Sequence, residues 1–363
     1  MKMRKYCAIL VLILWAGLTA FAWFGQQKEV SDSERRPLAQ MPEIHLESVF
    51  QGSFMEDFED YSLDQFPLRD GFRTLKALFH THVLGQKDNN GIYIADGYAA
   101  KQEYPLNEDS LHHAADRFNY IYEKYLTDSA VYMAIVPDKG QYLAEGSGHL
   151  SLELEQMDAV LREEMPWATQ ISLTGSLDID DYYRTDTHWR QEKLFDAAAI
   201  LCDALGVEAP DPADYALTAM DRPFYGVYYG QAALPMEPET MYILESDLLT
   251  DCAVYDHESG KTGSVYDRSK LESKDLYDIF LSGSRSLLTI VNPGAETDRE
   301  LIVFRDSFGS AMIPLLLNQY AKVTAVDIRY IQPAMLERFV EFHGQDVLFL
   351  YSTLVLNNSE TIK

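Results

Sequence analysis

Leu301-Ile302-Val303-Phe304-Arg305-Asp306-Ser307-Phe308-Gly309 reads as an apolar run that stops at a charged, hydroxyl-bearing turn. Four consecutive apolar residues suit a strand buried on both faces, and the residues after them suit the start of a helix. Upstream, Asp186-Thr187-His188-Trp189 sets a carboxylate and an imidazole two residues apart. Nucleophilic acyl chemistry needs a hydroxyl, a base to take its proton and a carboxylate to orient that base, and these two stretches supply all three. Bland readings stand beside this one. Asp306 and Ser307 are both good helix N-caps, and an Asp-x-His triplet is often structural.

The sequence around Ser307 alternates. A strand is expected at 301–304, an apolar helix at 310–320 with Pro314 kinking it, a strand at 323–326, a helix at 333–342 and a strand at 347–351. Strands separated by helices imply parallel βαβ units. Further upstream come a strand at 131–136 closed by Pro137-Asp138-Lys139-Gly140, a short strand at 171–173, and a helix at 191–205 stopped by Gly206. That helix would put His188 at or just before its first turn, where the partial positive charge favours a neutral imidazole. Nearer the N-terminus, a helical pattern over 54–78 is interrupted at Phe66-Pro67-Leu68-Arg69-Asp70, a short strand ends in a turn at 91–98, and a helix covers 109–126. Residues 207–300 are the least regular, with an aromatic, glycine-bearing stretch from Phe224 to Gly230 and a strand-like run at 287–291.

In open parallel sheets, ligands bind beyond the carboxyl ends of the strands. Asp138 and Lys139, Asp306 and Ser307, Asp327 and Arg329, and Ser352 all fall at such ends. The amides of Ser307, Phe308 and Gly309 could donate to a developing oxyanion. Arg329 could equally be a surface ion-pair residue, and Lys139 reads most simply as part of a solvated loop.

Composition narrows the classes. With 363 residues and 47% hydrophobic content the chain can bury a substantial core, and a net charge of −27 argues against binding nucleic acid. The 23 tyrosines suit a surface that stacks on sugars, or ordinary amphipathic packing. Cys202 and Cys252 could pair or simply be small buried hydrophobes. His80-Thr81-His82 and His112-His113 lack the helical spacing and the carboxylates of a metal site, so no metal is expected. Met1-Lys2-Met3-Arg4-Lys5 is basic, and an uncharged apolar run over 6–25 is long enough to span a bilayer. The flanking charges put the N-terminus in the cytoplasm and the rest outside. The segment reads as an anchor, or as a signal peptide cut after Ala22.

Asp186-Thr187-His188-Trp189 resembles the signature of the DHHW family and is similar to that of the alginate O-acetyltransferases of bacterial exopolysaccharide systems. Phe66-Pro67-Leu68-Arg69-Asp70, Val136-Pro137-Asp138-Lys139, Phe224-Tyr225-Gly226, Asp306-Ser307-Phe308 and Val326-Asp327-Ile328-Arg329-Tyr330 extend the resemblance in that order. It implies an SGNH hydrolase-like fold with Asp-x-His preceding the serine, as in a circular permutation. It also implies Ser307 as nucleophile, His188 as base and Asp186 as its orienting acid. Arg329, Gly226, Tyr228 and Trp189 would contact substrate, with Gly226 or its neighbours helping the oxyanion. The sequence departs from the family at Thr187, which replaces the first histidine of the name. Arg305 likewise stands where SGNH enzymes have glycine.

The expectation is an α/β chain with an SGNH hydrolase-like parallel sheet flanked by helices. Residues 1–25 would form the anchor or signal, 26–45 a linker, and 46–363 a catalytic domain with a helical lead-in. The activity implied is extracytoplasmic O-acetyl transfer to a polysaccharide, without a bound cofactor, the acetyl group coming from a partner resembling a multi-pass membrane-bound O-acyltransferase. A carbohydrate acetylesterase with the same three residues, or a non-catalytic polysaccharide-binding protein, are the alternatives. The last would hold His188 and Ser307 beyond hydrogen-bond reach.

Overall fold

The computed structural model describes residues 2–363, and all their side chains except those of residues 2, 3, 23 and 24. Met1 and the Lys2 side chain of the basic N-terminal cluster therefore lie outside what is described. The chain divides into two compact units, one reaching to Gly91 with Tyr229–Met236 added, the other Ile92–Tyr228 with Glu237–Lys363.

In the first unit, α1 (Lys2–Phe24) contains a 19-residue segment, Arg4–Ala22, of mean hydropathy 1.9. By length and composition it can cross a membrane. Three amphipathic helices follow: α2 (Leu46–Gln51), α3 (Ser53–Asp64) and α4 (Arg69–Leu78). The break expected near Pro67 is present, and Leu68 bends it with a left-handed φ of 57°. Residues read as a loose linker are tied down in this unit. Arg36 forms a bidentate pair with Asp64 at 2.8 and 2.6 Å, and Gln65 bonds the backbone of Lys28 and Ala39.

The second unit opens with a hairpin, β1 (Ile92–Ala95) and β2 (Tyr98–Lys101), followed by α5 (Glu108–Ile121). Next come β3 (Val131–Val136), α6 (Gly140–Ser147), α7 (Leu154–Glu164), β4 (Thr169–Ser172) and α8 (Phe195–Leu205). A separate hairpin pairs β5 (Ala216–Phe224) with β6 (Glu239–Glu245). The sheet is completed by β7 (Ala253–Asp256), β8 (Lys261–Gly263), β9 (Leu287–Val291), β10 (Glu300–Arg305), β11 (Lys322–Val326) and β12 (Asp346–Ser352), with α9 (Gly309–Leu316) after β10. The main sheet has eight strands in the order β8-β7-β9-β11-β10-β12-β3-β4. The five from β11 to β4 are parallel, and β9, β7 and β8 extend the sheet antiparallel.

Alternation along β10 explains why this strand lies inside the sheet. Leu301 and Val303 face a core that includes α8 and α9, while Ile302 and Phe304 face a second core with α5 and α7. A strand covered on both faces must be apolar along its centre, as Leu301–Phe304 is. Two expectations fail locally. Instead of a helix at 333–342 there is a single 3₁₀ stretch, Pro333–Arg338. Met335 and Phe339 stay exposed, so no buried stripe holds a longer helix together. The helix after His188 begins at Phe195, not Gln191, with a 3₁₀ turn between them. Cys202 and Cys252 are both buried and unpaired.

Candidate active site

Ser307 sits in the turn between β10 and α9, at the carboxyl rim of the parallel strands. Its hydroxyl lies 2.8 Å from Nε2 of His188, and Nδ1 of that ring lies 2.5 Å from Oδ1 of Asp186. A buried carboxylate against Nδ1 requires the proton there, which leaves the Nε2 lone pair facing the serine hydroxyl. Asp186 is fully buried and His188 only 7% exposed. The three residues the sequence singled out therefore form one continuous hydrogen-bonded chain.

The segment carrying Asp186 and His188 is irregular, and side chains from several elements fix it. The Oδ2 of Asp186 accepts the Val227 amide at 2.7 Å. Glu239 accepts the amides of Arg184 and Thr185, both at 2.8 Å, and the Thr185 hydroxyl at 2.9 Å. The buried ammonium of Lys139 donates to the carbonyls of Tyr183, Arg184 and Asp186 at 2.7, 3.2 and 2.5 Å. Burial pulls the Lys139 pKa down to about 8, against the pull of Asp138, Asp186 and Glu239. Tyr277 stacks on the His188 ring, centroids 3.9 Å apart and planes within 7°. The Phe308 ring is also near, its centroid 5.0 Å from that of His188 and its plane tilted by 54°. No helix starts at His188, so the expected dipole effect is absent; the carboxylate and the stacked ring hold the imidazole instead.

Several expected substrate contacts have other duties here. Trp189 is fully buried, donates to the Phe308 carbonyl at 3.0 Å and packs edge-on against the Phe308 ring. Tyr228 is 3% exposed and donates to the Thr187 hydroxyl at 3.0 Å. Thr187, the residue that departs from the family's name, thus serves as an acceptor inside the loop. Gly226 gives its amide to Thr185 Oγ1 at 2.9 Å, so that N–H is not aimed at an oxyanion. A side chain there would collide with Asp186, since a Cβ on Gly226 would lie 2.2 Å from the Asp186 Cβ. Arg329 forms a bidentate pair with buried Asp327, at 2.9 and 2.6 Å. It lies at the end of β11, the strand next to β10.

Of the three amides expected for an oxyanion, two are committed. Phe308 donates to Oδ1 of Asp306 at 3.0 Å and Gly309 to the Asp306 carbonyl at 3.2 Å. The Ser307 amide has no such partner among the described residues and is the donor available to a developing negative charge. Asp306 itself is buried and accepts both the amide and the hydroxyl of Ser352, at 2.8 and 2.6 Å, which locks the nucleophile turn to the end of β12. Arg305 fills the space beneath the turn and bonds Ser310 Oγ at 2.9 Å. A Cβ on Gly309 would come within 2.7 Å of the Arg305 Cβ.

The sequence reading of Lys139 as part of a solvated loop is corrected, since it is fully buried, and Glu239 and Tyr277 were missed. Lys139 carried a usable signal, because it follows a buried strand at the same rim as Ser307. Glu239 and Tyr277 carried none: each meets the loop from a distant irregular region.

A mainly parallel sheet with a serine after a central strand, and Asp-x-His earlier in the chain, defines an SGNH hydrolase-like α/β protein of permuted motif order. Residues 176–326 match the family described as DHHW protein. No curated protein matches the chain. Among solved structures it is similar to a DHHW family protein from Eubacterium siraeum, with 20% identity, a TM-score of 0.64, and 76% of this chain and 95% of that one covered. It is also similar to PatB1 of Bacillus cereus, with 16% identity, a TM-score of 0.57, and 75% and 98% covered. The O-acetyltransferase domain of Pseudomonas putida AlgJ is more distant, with 14% identity, a TM-score of 0.46, and 74% and 92% covered. At these identities the likeness to the first two establishes the fold.

Proposed function

We propose that this protein is a membrane-anchored O-acetyltransferase that works outside the cytoplasm through an acyl-enzyme on Ser307. The observation carrying this reading is the hydrogen-bonded series Asp186–His188–Ser307 at the carboxyl rim of the sheet. His188 Nε2 takes the hydroxyl proton as Ser307 Oγ attacks the acetyl carbonyl, and the Ser307 amide steadies the oxyanion. The leaving group departs with the proton held by His188. An acceptor hydroxyl then gives its own proton to His188 and attacks the acetyl-serine. Collapse releases the acetyl ester and returns the proton to Ser307.

The family resemblance supports acetyl as the group moved and a polysaccharide as its acceptor. Acetyl-CoA is cytoplasmic, so the donor side of this proposal is a multi-pass membrane protein that hands the acetyl group across. The apolar α1 supports an anchor beside such a partner. A non-catalytic role calls for a gap between base and hydroxyl, and the 2.8 Å separation speaks against it. An esterase would use the same residues with water as acceptor.

The test uses full-length protein in detergent with p-nitrophenyl acetate. Wild type should release p-nitrophenol and carry acetyl on Ser307 by peptide mass spectrometry, while folded Ser307→Ala and His188→Ala should do neither. Candidate oligosaccharides then separate the outcomes: an acetylated sugar supports the transferase, and free acetate alone supports the esterase. Equal inertness of wild type and both variants would end the catalytic reading.

A further inference from the structure

The first unit contains two adjoining cavities that nothing in the acyl-transfer reading uses. One, of about 470 Å³, is lined by Arg69, Arg73 and Lys76 of α4 together with Phe66 and Phe72. Spacings of four and three residues put the three cations on one stripe of α4. The other, of about 790 Å³, also has Phe66 and Phe72 in its wall, so the two cavities meet at these rings. Its remaining walls include Leu14, Trp15, Leu18 and Ala22 of α1 opposite Phe58 and Tyr61 of α3. One cavity is cationic, the next apolar, and the apolar one is walled by the helix able to cross a membrane.

The charges decide which anion source fits. Arg69 pairs with Glu34 at 2.5 Å and Asp64 at 3.2 Å, and Arg73 with Glu34 at 3.2 Å. Lys76 is exposed and makes no ion pair among the described residues. A cation without a partner is thus left at the mouth, in a chain of net charge −27. A small soluble anion would use only this cationic end. Adhesion of the whole face to an anionic leaflet is disfavoured, because α3 carries Glu56, Asp57, Glu59, Asp60 and Asp64 and no lysine or arginine. None of those acids lines the cleft itself. The positive-inside rule puts Leu14–Ala22 in the outer half of the bilayer.

We propose that the first unit holds one anionic phospholipid, its phosphate at Arg73 and Lys76 and its acyl chains in the cleft between α1 and α3. The proposal rests on α1 being retained as an anchor, and not on any reaction at Ser307.

The test is native mass spectrometry of full-length protein equilibrated with equal amounts of phosphatidylglycerol and phosphatidylcholine in detergent. Wild type should retain one phosphatidylglycerol in preference to phosphatidylcholine. Lys76→Glu, an exposed change, should cut that preference about tenfold, as expected for replacing a cation by an anion near a headgroup. Ser62→Trp, which fills the cleft, should abolish retention of both lipids, with circular dichroism confirming an intact fold. Equal retention of the two lipids, or no effect of Lys76→Glu, overturns the proposal. So does glycerophosphate binding as tightly as the lipid while Ser62→Trp changes nothing, which would mark a free-anion site. An intact mass lacking α1 overturns it too, and leaves the Ser307 reading untouched.

Discussion

Trp189 donates its indole N–H to the carbonyl of Phe308 at 3.0 Å, so the residue after the imidazole is bonded to the residue after the hydroxyl. Gln191 repeats the tie, donating to the Ala311 carbonyl at 3.1 Å. These two bonds join an irregular loop to the first turn of α9 and hold His188 at Ser307. Trp189→Phe keeps a ring in the core but removes this tie; the Phe308 carbonyl, at the N-cap of α9, keeps its intrahelical partner, so the cost is about 0.5–1.5 kcal/mol. Small misplacement of a base is expensive, so p-nitrophenyl acetate turnover should fall by about tenfold or more. Urea unfolding and turnover measured together check this. A variant as active and as stable as wild type would show that the tie is dispensable.

Gly226 lies against the backbone of Asp186. A Cβ there would stand 2.3 Å from the Asp186 Cα and 2.4 Å from its nitrogen, and no flexible side chain can yield to make room. Gly226→Ala must therefore shift either Asp186 or the Val227 amide that bonds it at 2.7 Å. The expected loss is about 100-fold in turnover, with overpacking costing about 1–3 kcal/mol. Gly175→Ala is the control, since a Cβ there meets nothing within 4 Å. Equal activity of the two variants would refute the packing argument.

What the sequence made legible were local signals. The strands ending at Val136, Arg305 and Ser352 have apolar centres, and the one ending at Val326 is interrupted only by Thr324; burial on both faces demands that pattern. Asp186, His188 and Ser307 were legible because nucleophilic chemistry needs few residue types at strand ends and in loops. The supports were not. Tyr277 reaches His188 from an irregular stretch, and ring stacking leaves no periodicity in sequence. Lys139 carried the charge of a solvated residue, and three carbonyls brought from a different segment are what permit its burial. Trp189 and Tyr228 drew a substrate role because they are aromatic and lie near the motif. Each instead buries its ring and satisfies its polar tip inside the protein, the commoner use of such side chains.

The Asp186 carboxylate sets the tautomer of His188, and the oxygen that does so, Oδ1, also accepts the His188 amide at 3.1 Å. In Asp186→Asn the amide oxygen can still accept the Val227 N–H while the amide nitrogen faces Nδ1 of His188 as a donor. The imidazole must then carry its proton on Nε2, where it no longer accepts from Ser307. Turnover should fall by about 10³–10⁴, the scale on which a wrong tautomer acts in hydroxyl–imidazole–carboxylate systems. Labelling of Ser307 by a sulfonyl fluoride, followed by peptide mass spectrometry, should slow in parallel. Unchanged labelling would mean that the hydroxyl is not activated through His188.

Lys139 carries a pH signature. Its pKa in the fold is near 8, below the ordinary 10.5, because burial disfavours the charge. Below pH 8 both folded and unfolded chains hold the proton, and the burial cost is fully present. Between about 8 and 10.5 the unfolded chain keeps a proton that the folded one has released, so this residue's contribution to stability rises with pH. Lys139→Met lacks that term and leaves the carbonyls of Tyr183, Arg184 and Asp186 without their donor, at a cost of about 2–4 kcal/mol at pH 7. Urea unfolding of both proteins at intervals from pH 7 to 10.5 should show wild type gaining on the variant across the upper half of the range. Parallel curves would mean that the Lys139 pKa is not depressed. A Lys139→Met protein with full stability and full turnover would remove Lys139 from the architecture that holds Asp186.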